Sequence, residues 1–154
     1  MTYKEAQQDL FSVSSDYYLV HCISADFKMG AGIAKKFTEM GTREWLFDLY
    51  DDKPYPWSGK GACVYTWAAN AKDKYKGVFH LITKEKYYHK PTYSTLKQAL
   101  ESLKYSASSS IHDAKKIAMP KIGCGLDRLD WNKVRPMIQE VFADTDIEIL
   151  VCYL

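Results

Sequence analysis

Several features that would place this chain in a specialised class are absent from its sequence. Lysine and arginine exceed aspartate and glutamate by only 21 to 19, a formal net charge of +2. Such a balance does not predict tight binding to duplex nucleic acid, for which a strongly basic face is expected. The sequence has no run of about 18 apolar residues and no N-terminal apolar segment before a cleavage site, so neither membrane spanning nor secretion is expected.

Paired cysteines and metal-binding spacings are also missing. All of the cysteines except Cys124 lie in apolar, strand-like runs, and buried, reduced thiols are expected, as in a protein of the cytoplasm or nucleus. His80, His89 and His112 have no metal spacing among themselves, so neither a metal nor a cofactor is expected. None of the four cysteines belongs to a C-x-x-C pair; they are Cys22, Cys63, Cys124 and Cys152.

The chain alternates between strand-like and helix-like segments, without repeats, low-complexity tracts or linker-like shifts in composition. Its 154 residues fit one domain, 1–154, long enough to bury about two-thirds of the unfolded surface. Near-continuous apolar strands alternating with helices predict an α/β fold with a mostly parallel sheet between helical layers. Strands are predicted at 17–24, 62–69, 78–83, 116–120 and 147–153, with a turn at 73–77 and helices from loop one to about 40, at 42–51, from 92 and from 130.

Three helix boundaries have specific expectations. Thr42 and Asp130 are the predicted N-caps of their helices, and Thr92 opens the helix between them. Pro136 lies inside the last helix, which is therefore expected to start late or to kink there.

Two glycine loops follow predicted strands and carry much of the functional information. Loop one (29–36, MGAGIAKK) contains Gly30 and Gly32, and loop two (122–129, IGCGLDRL) contains Gly123 and Gly125. Glycine has no Cβ, so backbone N–H groups can approach an anion closely. Both loops lie where open α/β sheets bind ligands, and together they suggest two ends of one diphosphate. A tight packing turn is the alternative for loop one.

Loop one does not match the common nucleotide-binding fingerprints. Lys35 occupies the position of the third glycine or alanine of a dinucleotide fingerprint, and no acid follows at the usual distance. The Walker A pattern is absent as well. A nicotinamide dehydrogenase is therefore a poor interpretation of this sequence.

Two charged residues near the loops are candidates for chemistry. Lys84 ends a predicted strand; it is either solvated or, if partly desolvated, a nucleophile toward an aldehyde-type carbon. Asp127 is either a turn or helix cap or the acid–base partner of Lys84. The basic, aromatic segment 84–90 is either a solvated loop or a surface that contacts nucleic acid or a protein. His21 and Cys22 are adjacent on a strand, so their side chains point to opposite faces and cannot pair.

The combination of these motifs resembles the macro domain family, and more narrowly its terminal ADP-ribose protein glycohydrolase branch. The resemblance runs nearly end to end and implies a three-layer α/β/α fold with a central mixed, mostly parallel sheet and a cleft for ADP-ribose. The segments that carry it are Gln8-Asp9-Leu10-Phe11, His21-Cys22-Ile23-Ser24, Met29-Gly30-Ala31-Gly32-Ile33-Ala34, Leu81-Ile82-Thr83-Lys84, His89-Lys90-Pro91-Thr92-Tyr93, Pro120-Lys121-Ile122-Gly123-Cys124-Gly125-Leu126-Asp127-Arg128-Leu129 and Ala143-Asp144-Thr145-Asp146-Ile147.

The resemblance also implies roles for individual residues. Asp9 would meet the adenine amino group, and Ser24 stands where most macro domains carry a ribose-facing asparagine, a departure typical of this branch. Cys152 occupies a position where the branch tends to place an aromatic residue, so adenine stacking falls to Tyr153 or is weaker. The implied substrate-binding residues are Asp9, Leu10, His21, Ser24, Gly30, Ala31, Gly32, Ile33, Ile122, Gly123, Cys124, Gly125, Leu126 and Tyr153.

The activity implied by the resemblance is hydrolysis of ester-linked ADP-ribose on Glu or Asp side chains of proteins. Lys84 would attack the anomeric carbon of the distal ribose and displace the acyl carboxylate, and Asp127 would act as acid–base. Direct attack by water remains open as the simpler mechanism. The implied partners are ADP-ribose and ADP-ribosylated protein, without a metal or cofactor, and a monomer is expected.

Other functions stay open on sequence grounds. They are removal of ADP-ribose from nucleic-acid bases, hydrolysis of O-acetyl-ADP-ribose or ADP-ribose 1″-phosphate, and non-catalytic reading of ADP-ribose. The net charge of +2 argues mildly against nucleic acid. A reader needs the loops and Asp9 but no Lys84–Asp127 pair, so the pair favours an enzyme. The segment 51–76, rich in Pro, Trp and Tyr, matches no feature of the family.

Overall fold

A computed structural model describes residues 1–67 and 74–154 of the chain. Its six strands are β1 (Thr2–Gln7), β2 (Tyr18–Ser24), β3 (Ala62–Thr66), β4 (Gly77–Lys84), β5 (Lys116–Met119) and β6 (Glu148–Tyr153). They form one sheet in the order β1-β6-β5-β2-β4-β3. Every neighbouring pair is parallel except β3 and β4, which are antiparallel. The predicted mixed, mostly parallel sheet is confirmed.

Helices cover both faces of this sheet. The α-helices of the described residues are α1 (Gly32–Glu39), α2 (Thr42–Leu49), α3 (Tyr93–Ala107) and α4 (Trp131–Phe142), and a short 3-10 turn spans Leu10–Ser12. None of these helices is long and apolar enough to cross a membrane.

Side chains alternate across the sheet and fill two separate cores. On one face, Val20 of β2 and Phe79 of β4 are fully buried against α3 and α4. On the other face, Leu19 and Val78 are fully buried in the core that includes residues of α1 and α2. The continuous apolar strands seen in the sequence therefore supply both cores, and the three-layer α/β/α architecture is confirmed.

Two of the predicted helix starts are confirmed. Thr92 precedes α3 and exchanges hydrogen bonds with Thr95: the Thr95 N–H donates to Thr92 Oγ1 at 3.0 Å and the Thr92 N–H donates to Thr95 Oγ1 at 3.1 Å. Asp130 caps α4, because its Oδ1 accepts a hydrogen bond from the Asn132 N–H at 2.9 Å.

The predicted N-cap of α2 is wrong, and so is a late start of α4. Gly41 is the N-cap of α2, with a φ of 86°, and the Thr42 hydroxyl instead donates to the Phe37 carbonyl at 2.8 Å. α4 begins at Trp131 and continues through Pro136, so it does not start late. Pro136 lacks the N–H that would bond to the carbonyl one turn back, and its ring crowds that carbonyl, so a kink at this position stays a prediction.

The strand β1 escapes the sequence analysis because it is a polar strand at the edge of the sheet. Its anchor is also polar: Arg135 of α4 donates from Nη2 to Glu5 Oε1 at 3.1 Å and from Nε to Oε2. The Arg135 hydrogen bonds lower the pKa of Glu5 to about 2. The predicted strand 62–69 ends at Thr66, and its last residues and part of the predicted turn at 73–77 lie outside the described residues.

Candidate active site

A cleft opens at the carboxyl-terminal edge of the sheet, where β2 and β5 separate. These strands share two register pairs, Tyr18 with Ile117 and Leu19 with Ala118. Beyond Leu19, β2 continues to Ser24 with β4 as its only strand partner among the described residues. The other edge of β2 therefore faces open space, in the position where parallel sheets bind ligands.

The cleft has a volume of about 970 Å³ and collects segments from three strands. Its walls are the end of β2 with loop one, the end of β4, and loop two after β5. The predicted site residues that line it are His21, Ser24, Gly30, Ala31, Gly32, Ile33, Lys84, Ile122, Gly123, Gly125, Leu126 and Asp127. The two loops, which are far apart in the sequence, thus belong to one site.

Two predicted residues from the first motif lie outside this lining. Asp9 is exposed, and its Oδ1 accepts a hydrogen bond from the Phe11 N–H at 3.0 Å at the start of the 3-10 turn. Leu10 is buried in the core beneath. The adenine contact assigned to Asp9 stays a prediction.

Two more predicted residues lie beside the cleft without lining it. The Cys124 thiol is directed at the Ile122 carbonyl, 3.2 Å away. The ring of Tyr153 lies under the Lys121 ammonium, with 4.6 Å between Nζ and the ring centroid, and Lys121 does line the cleft. A Tyr153 contact with adenine also stays a prediction.

Lys84 and Asp127 form an ion pair inside the cleft. Lys84 Nζ lies 2.6 Å from Asp127 Oδ1, and the two side chains are only 13% and 15% exposed. The amine and the carboxylate can therefore exchange a proton directly, which is the geometry that an activated nucleophile requires.

A register shift between β2 and β4 sets the position of Lys84. Ile23 is paired with Ile82, but Ser24 is paired with Lys84, so Thr83 is an extra residue in β4. Such irregularities re-aim side chains and are common beside active sites. The hydroxyl of Thr83 is buried and has no hydrogen-bond partner among the described residues.

Loop one and loop two approach each other at Gly32 and Leu126. A Cβ added to Gly32, whose φ is 59°, would lie 3.7 Å from Cδ1 of Leu126. Loop one leads directly into α1, whose N-cap is Ala31, a residue without a side-chain acceptor for the first N–H groups. The positive end of the α1 dipole and these N–H groups can hold an anion.

Basic side chains form the rim of the cleft, and the sequence analysis did not assign them to it. The residues concerned are Lys28, Lys90, Lys121 and Arg128, whereas Asp127 is the only carboxylate among the described lining residues. Lys90 is fixed by a hydrogen bond from Nζ to the Leu126 carbonyl at 2.7 Å. Their positions next to the two glycine motifs in the sequence could have indicated that they belong to the cleft. This rim favours an anionic ligand.

The histidine of the cleft is part of a buried chain of hydrogen bonds. Nε2 of His21 lies 2.7 Å from Nδ1 of His80, and Nε2 of His80 lies 2.8 Å from Oγ1 of Thr66. Burial lowers the pKa of His21 well below its ordinary value and that of His80 to about 3. Both rings are therefore uncharged at neutral pH. The ring of His21 stacks on Phe37, while Cys22 packs on the opposite face of the sheet, as alternation predicts.

The two cysteines near the cleft are held in their thiol form. Burial raises the pKa of Cys22 far above neutrality and that of Cys124 to about 11, so neither is a thiolate at neutral pH. Within the described part of the chain, no three or more His, Cys, Asp or Glu side chains are grouped to hold a metal. Lys84 and Asp127 are the two lining residues that form an ion pair within the cleft.

Comparison with known proteins agrees with this geometry. The macro domain family model matches residues 20–138, and the chain belongs to the macro domain family. It is 40% identical over 146 residues to the ADP-ribose glycohydrolase OARD1 of Homo sapiens, and equally to that of Bos taurus, covering 93% of this chain and 86% of each relative.

Solved structures show the same fold at low sequence identity. The macrodomain of Thermus aquaticus DarG matches with a TM-score of 0.82 and 18% identity over 99% of both chains. Thermosipho africanus DarTG in complex with ADP-ribose matches with a TM-score of 0.76 and 17% identity, over 98% of this chain and 41% of that one.

Proposed function

We propose that this chain is a hydrolase that cleaves ester-linked ADP-ribose from Glu or Asp side chains of proteins and releases free ADP-ribose. The observation that carries the proposal is the Lys84–Asp127 pair, 2.6 Å apart and largely buried in the cleft that both glycine loops line. The 40% identity to a relative named ADP-ribose glycohydrolase supports the same class of reaction.

The diphosphate of ADP-ribose would lie between loop one and loop two. The unblocked N–H groups at the start of α1 can donate to one phosphate. Gly125 has open space where a Cβ would be, so the backbone of loop two can approach the other phosphate. Lys28, Lys121 and Arg128 at the rim would offset the two negative charges.

In the first chemical step, Asp127 accepts a proton from Nζ of Lys84, and the freed lone pair attacks the anomeric carbon of the distal ribose. The ester C–O bond breaks, and the acceptor carboxylate leaves with the electron pair and takes the proton from Asp127. Water then attacks the same carbon while Asp127 accepts one of its protons. The C–N bond breaks and its electrons return to Nζ. The proton on Asp127 then passes to Nζ, which restores the ion pair of Lys84 and Asp127.

The decisive experiment measures release of ADP-ribose from a Glu/Asp-ADP-ribosylated protein by wild type, Lys84→Ala and Asp127→Ala. Calorimetric titration of each with ADP-ribose runs in parallel. Lys115→Ala is the matched control, because Lys115 also pairs with carboxylates, Asp113 and Asp146, but is exposed and does not line the cleft. We expect release to fall by at least about 100-fold in both cleft variants, with ADP-ribose still bound, and to be unchanged in the control.

Two results would contradict the proposal in different ways. Full turnover by a folded Lys84→Ala variant would exclude the lysine nucleophile. Binding of ADP-ribose by wild type without release would identify a reader of the modification.

A second acceptor class is favoured by one specific observation. Tyr87 and Tyr88 follow Lys84 and are 57% and 66% exposed, and Lys28 Nζ lies 5.6 Å from the centroid of the Tyr87 ring. Exposed aromatic rings beside lysines suit stacking with single-stranded nucleic acid. Release of ADP-ribose from modified single-stranded DNA, compared between wild type and Tyr88→Ala, tests this alternative.

A further inference from the structure

Asp26 lies between β2 and loop one, and its carboxylate holds together three segments that surround the cleft. Oδ1 accepts hydrogen bonds from the Ser24 hydroxyl at 2.5 Å and from the Lys28 N–H at 3.0 Å. Oδ2 accepts a hydrogen bond from the N–H of Tyr87, 61 residues further along the chain, at 2.9 Å. One side chain therefore joins the end of β2, the turn that leads into loop one and the segment that follows β4.

These contacts converge on Lys84. Ser24 is the residue paired with Lys84 at the register shift, and Tyr87 follows Lys84 by one short turn. Backbone hydrogen bonds run alongside the carboxylate: the Ala25 N–H donates to the Lys84 carbonyl at 2.9 Å, and the Asp26 N–H donates to the Glu85 carbonyl at 3.2 Å. The carboxylate thus closes a frame around the backbone of the reacting lysine.

The turn that leads into loop one needs such a frame because its backbone is strained. Phe27 and Met29, neither of them glycine, have φ values of 55° and 46°. Arg43 supports this turn from α2, donating from Nε to the Phe27 carbonyl at 2.7 Å. The two hydrogen bonds that Oδ1 of Asp26 accepts span the same turn.

The hydrogen bonds also keep the carboxylate charged. Burial alone would raise the pKa of Asp26, but the bonds from Ser24, Tyr87 and Lys28 outweigh it and hold the pKa below its ordinary value. No lysine or arginine forms an ion pair with it among the described residues, although the charge of Lys86 also lowers its pKa. Its hydrogen-bond partners are these three donors. A carboxylate beside a site for an anion repels that anion. Its presence there is therefore better explained by the three segments that it holds in place.

We propose that Asp26 is a positioning residue that fixes loop one and Tyr87 relative to Lys84 and acts on the reaction through them, without touching the substrate. The inference rests on the proposed function, because it assumes that Lys84 is the reacting amine. Misplacement of a reacting group by about 1 Å can cost roughly 100-fold in rate.

Asp26→Asn is the informative substitution, because it keeps the size and removes one acceptor. If the amide oxygen serves Ser24 and Lys28, its NH₂ group faces the Tyr87 N–H, donor against donor. We expect kcat for ADP-ribose release to fall roughly 10- to 100-fold and KM to rise by a smaller factor. Ser24→Ala removes a single donor and should give a smaller loss in the same parameter.

Asp130→Ala is the matched control, since it also removes a carboxylate that accepts a backbone hydrogen bond, but at the start of α4 outside the cleft lining. It should lower the melting temperature while kcat and KM stay within about twofold of wild type. Unchanged kcat in a folded Asp26→Asn variant would overturn the inference. So would an equal loss of kcat in the control at equal loss of stability, since that would indicate only general destabilisation.

Amide hydrogen exchange separates failure of this inference from failure of the proposed function. It is measured on wild type, Asp26→Asn and Ser24→Ala without substrate. We expect exchange of the Tyr87 and Lys28 amides to accelerate at least about tenfold in Asp26→Asn. Unchanged exchange would overturn the role of the three Asp26 hydrogen bonds, here called the Asp26 clamp, even if the variant were inactive. A wild-type protein that releases no ADP-ribose would refute the proposed function, while the exchange result would still report on the clamp.

Discussion

The two glycine loops reach the same cleft but lead into their helices in different ways. Loop one runs straight into α1, and its N-cap, Ala31, offers no side-chain acceptor to the first N–H groups. Loop two is followed by Asp130, whose carboxylate caps α4 at 2.9 Å. At α4, outside the cleft, a side chain accepts a hydrogen bond from the N–H groups of the first turn. At α1, beside the cleft, no side chain does so.

This difference shows how one sequence serves stability and binding separately. A cap on a helix N-terminus contributes about 1 kcal/mol to stability, and Thr92 and Asp130 provide it at α3 and α4. At α1 the corresponding N–H groups stay available for a ligand, and the helix lacks the stabilisation that a cap would provide. A missing cap indicates a binding site only together with the cleft, because α2 also lacks a side-chain cap and lies outside the cleft lining.

The largest effect is expected from a carboxylate at the start of α1. Ala31→Asp should cap the helix and place a negative charge where the diphosphate would lie, lowering affinity for ADP-ribose at least about 30-fold. Ala31→Asn is the control, because it caps equally well without charge and should cost far less affinity. Calorimetric titration of both variants checks this. Wild-type affinity in Ala31→Asp would mean that the α1 N-terminus does not hold the diphosphate.

The glycines of loop two should respond unequally to alanine. Gly123 has a φ of 72°, and a Cβ there would lie 3.0 Å from Cδ1 of Leu129. Gly123→Ala should lower the free energy of unfolding by about 1–2 kcal/mol. Gly125→Ala has open space for its Cβ and should change it by less than about 0.5 kcal/mol. Urea denaturation compares the two variants. Equal losses of unfolding free energy would contradict the view that Gly123 is required by its backbone conformation and packing, whereas Gly125 leaves room for a ligand.

Removal of the α4 cap should affect stability alone. Asp130→Ala is expected to lower the free energy of unfolding by about 1 kcal/mol, or about 2–4 °C in melting temperature. ADP-ribose affinity should stay at the wild-type value, since Asp130 does not line the cleft. A loss of affinity as large as that in Ala31→Asp would abolish the contrast between the two helices.

The smallest effect is expected from pH. The pKa of Asp26 is lower in the folded chain than its ordinary value of 3.8, so its contribution to stability is present above that value and is lost as pH falls through the folded pKa. The stability difference between wild type and Asp26→Asn should therefore be constant from pH 5 to 8 and shrink below about pH 4. Denaturation curves across this range measure it, and a difference that grows toward acid would refute the assignment.

The sequence predicted the parts of the fold that repeat a simple physical pattern. β2 and β4 are continuous apolar runs because both faces of each are buried, and their limits were found to within a residue or two. β1 was missed because only one side of this edge strand is covered and its anchor is the Glu5–Arg135 ion pair, which links residues 130 apart. Gly41 displaced Thr42 as a cap because the backbone turn requires a positive φ there.

The candidate site divides in the same way. Glycine loops and the Lys84–Asp127 pair could be proposed from sequence, because each has a local pattern at the end of a strand. The Asp26 clamp could not be proposed from sequence, because one of its partners is a backbone N–H 61 residues away. Almost every residue carries a backbone N–H, so the residue type at that position does not reveal such a bond. The extra residue at Thr83 depends on strand register and was equally hidden.

The early separation of β2 from β5 also has a mechanical consequence. Among the described residues, two register pairs join β2 to β5, and this seam divides the sheet into a β1-β6-β5 half and a β2-β4-β3 half. Loop one belongs to the second half and loop two to the first. A ligand bound by both loops would connect the two halves of the sheet across the seam where β2 and β5 share two register pairs. Its binding would therefore reduce motion of one half relative to the other.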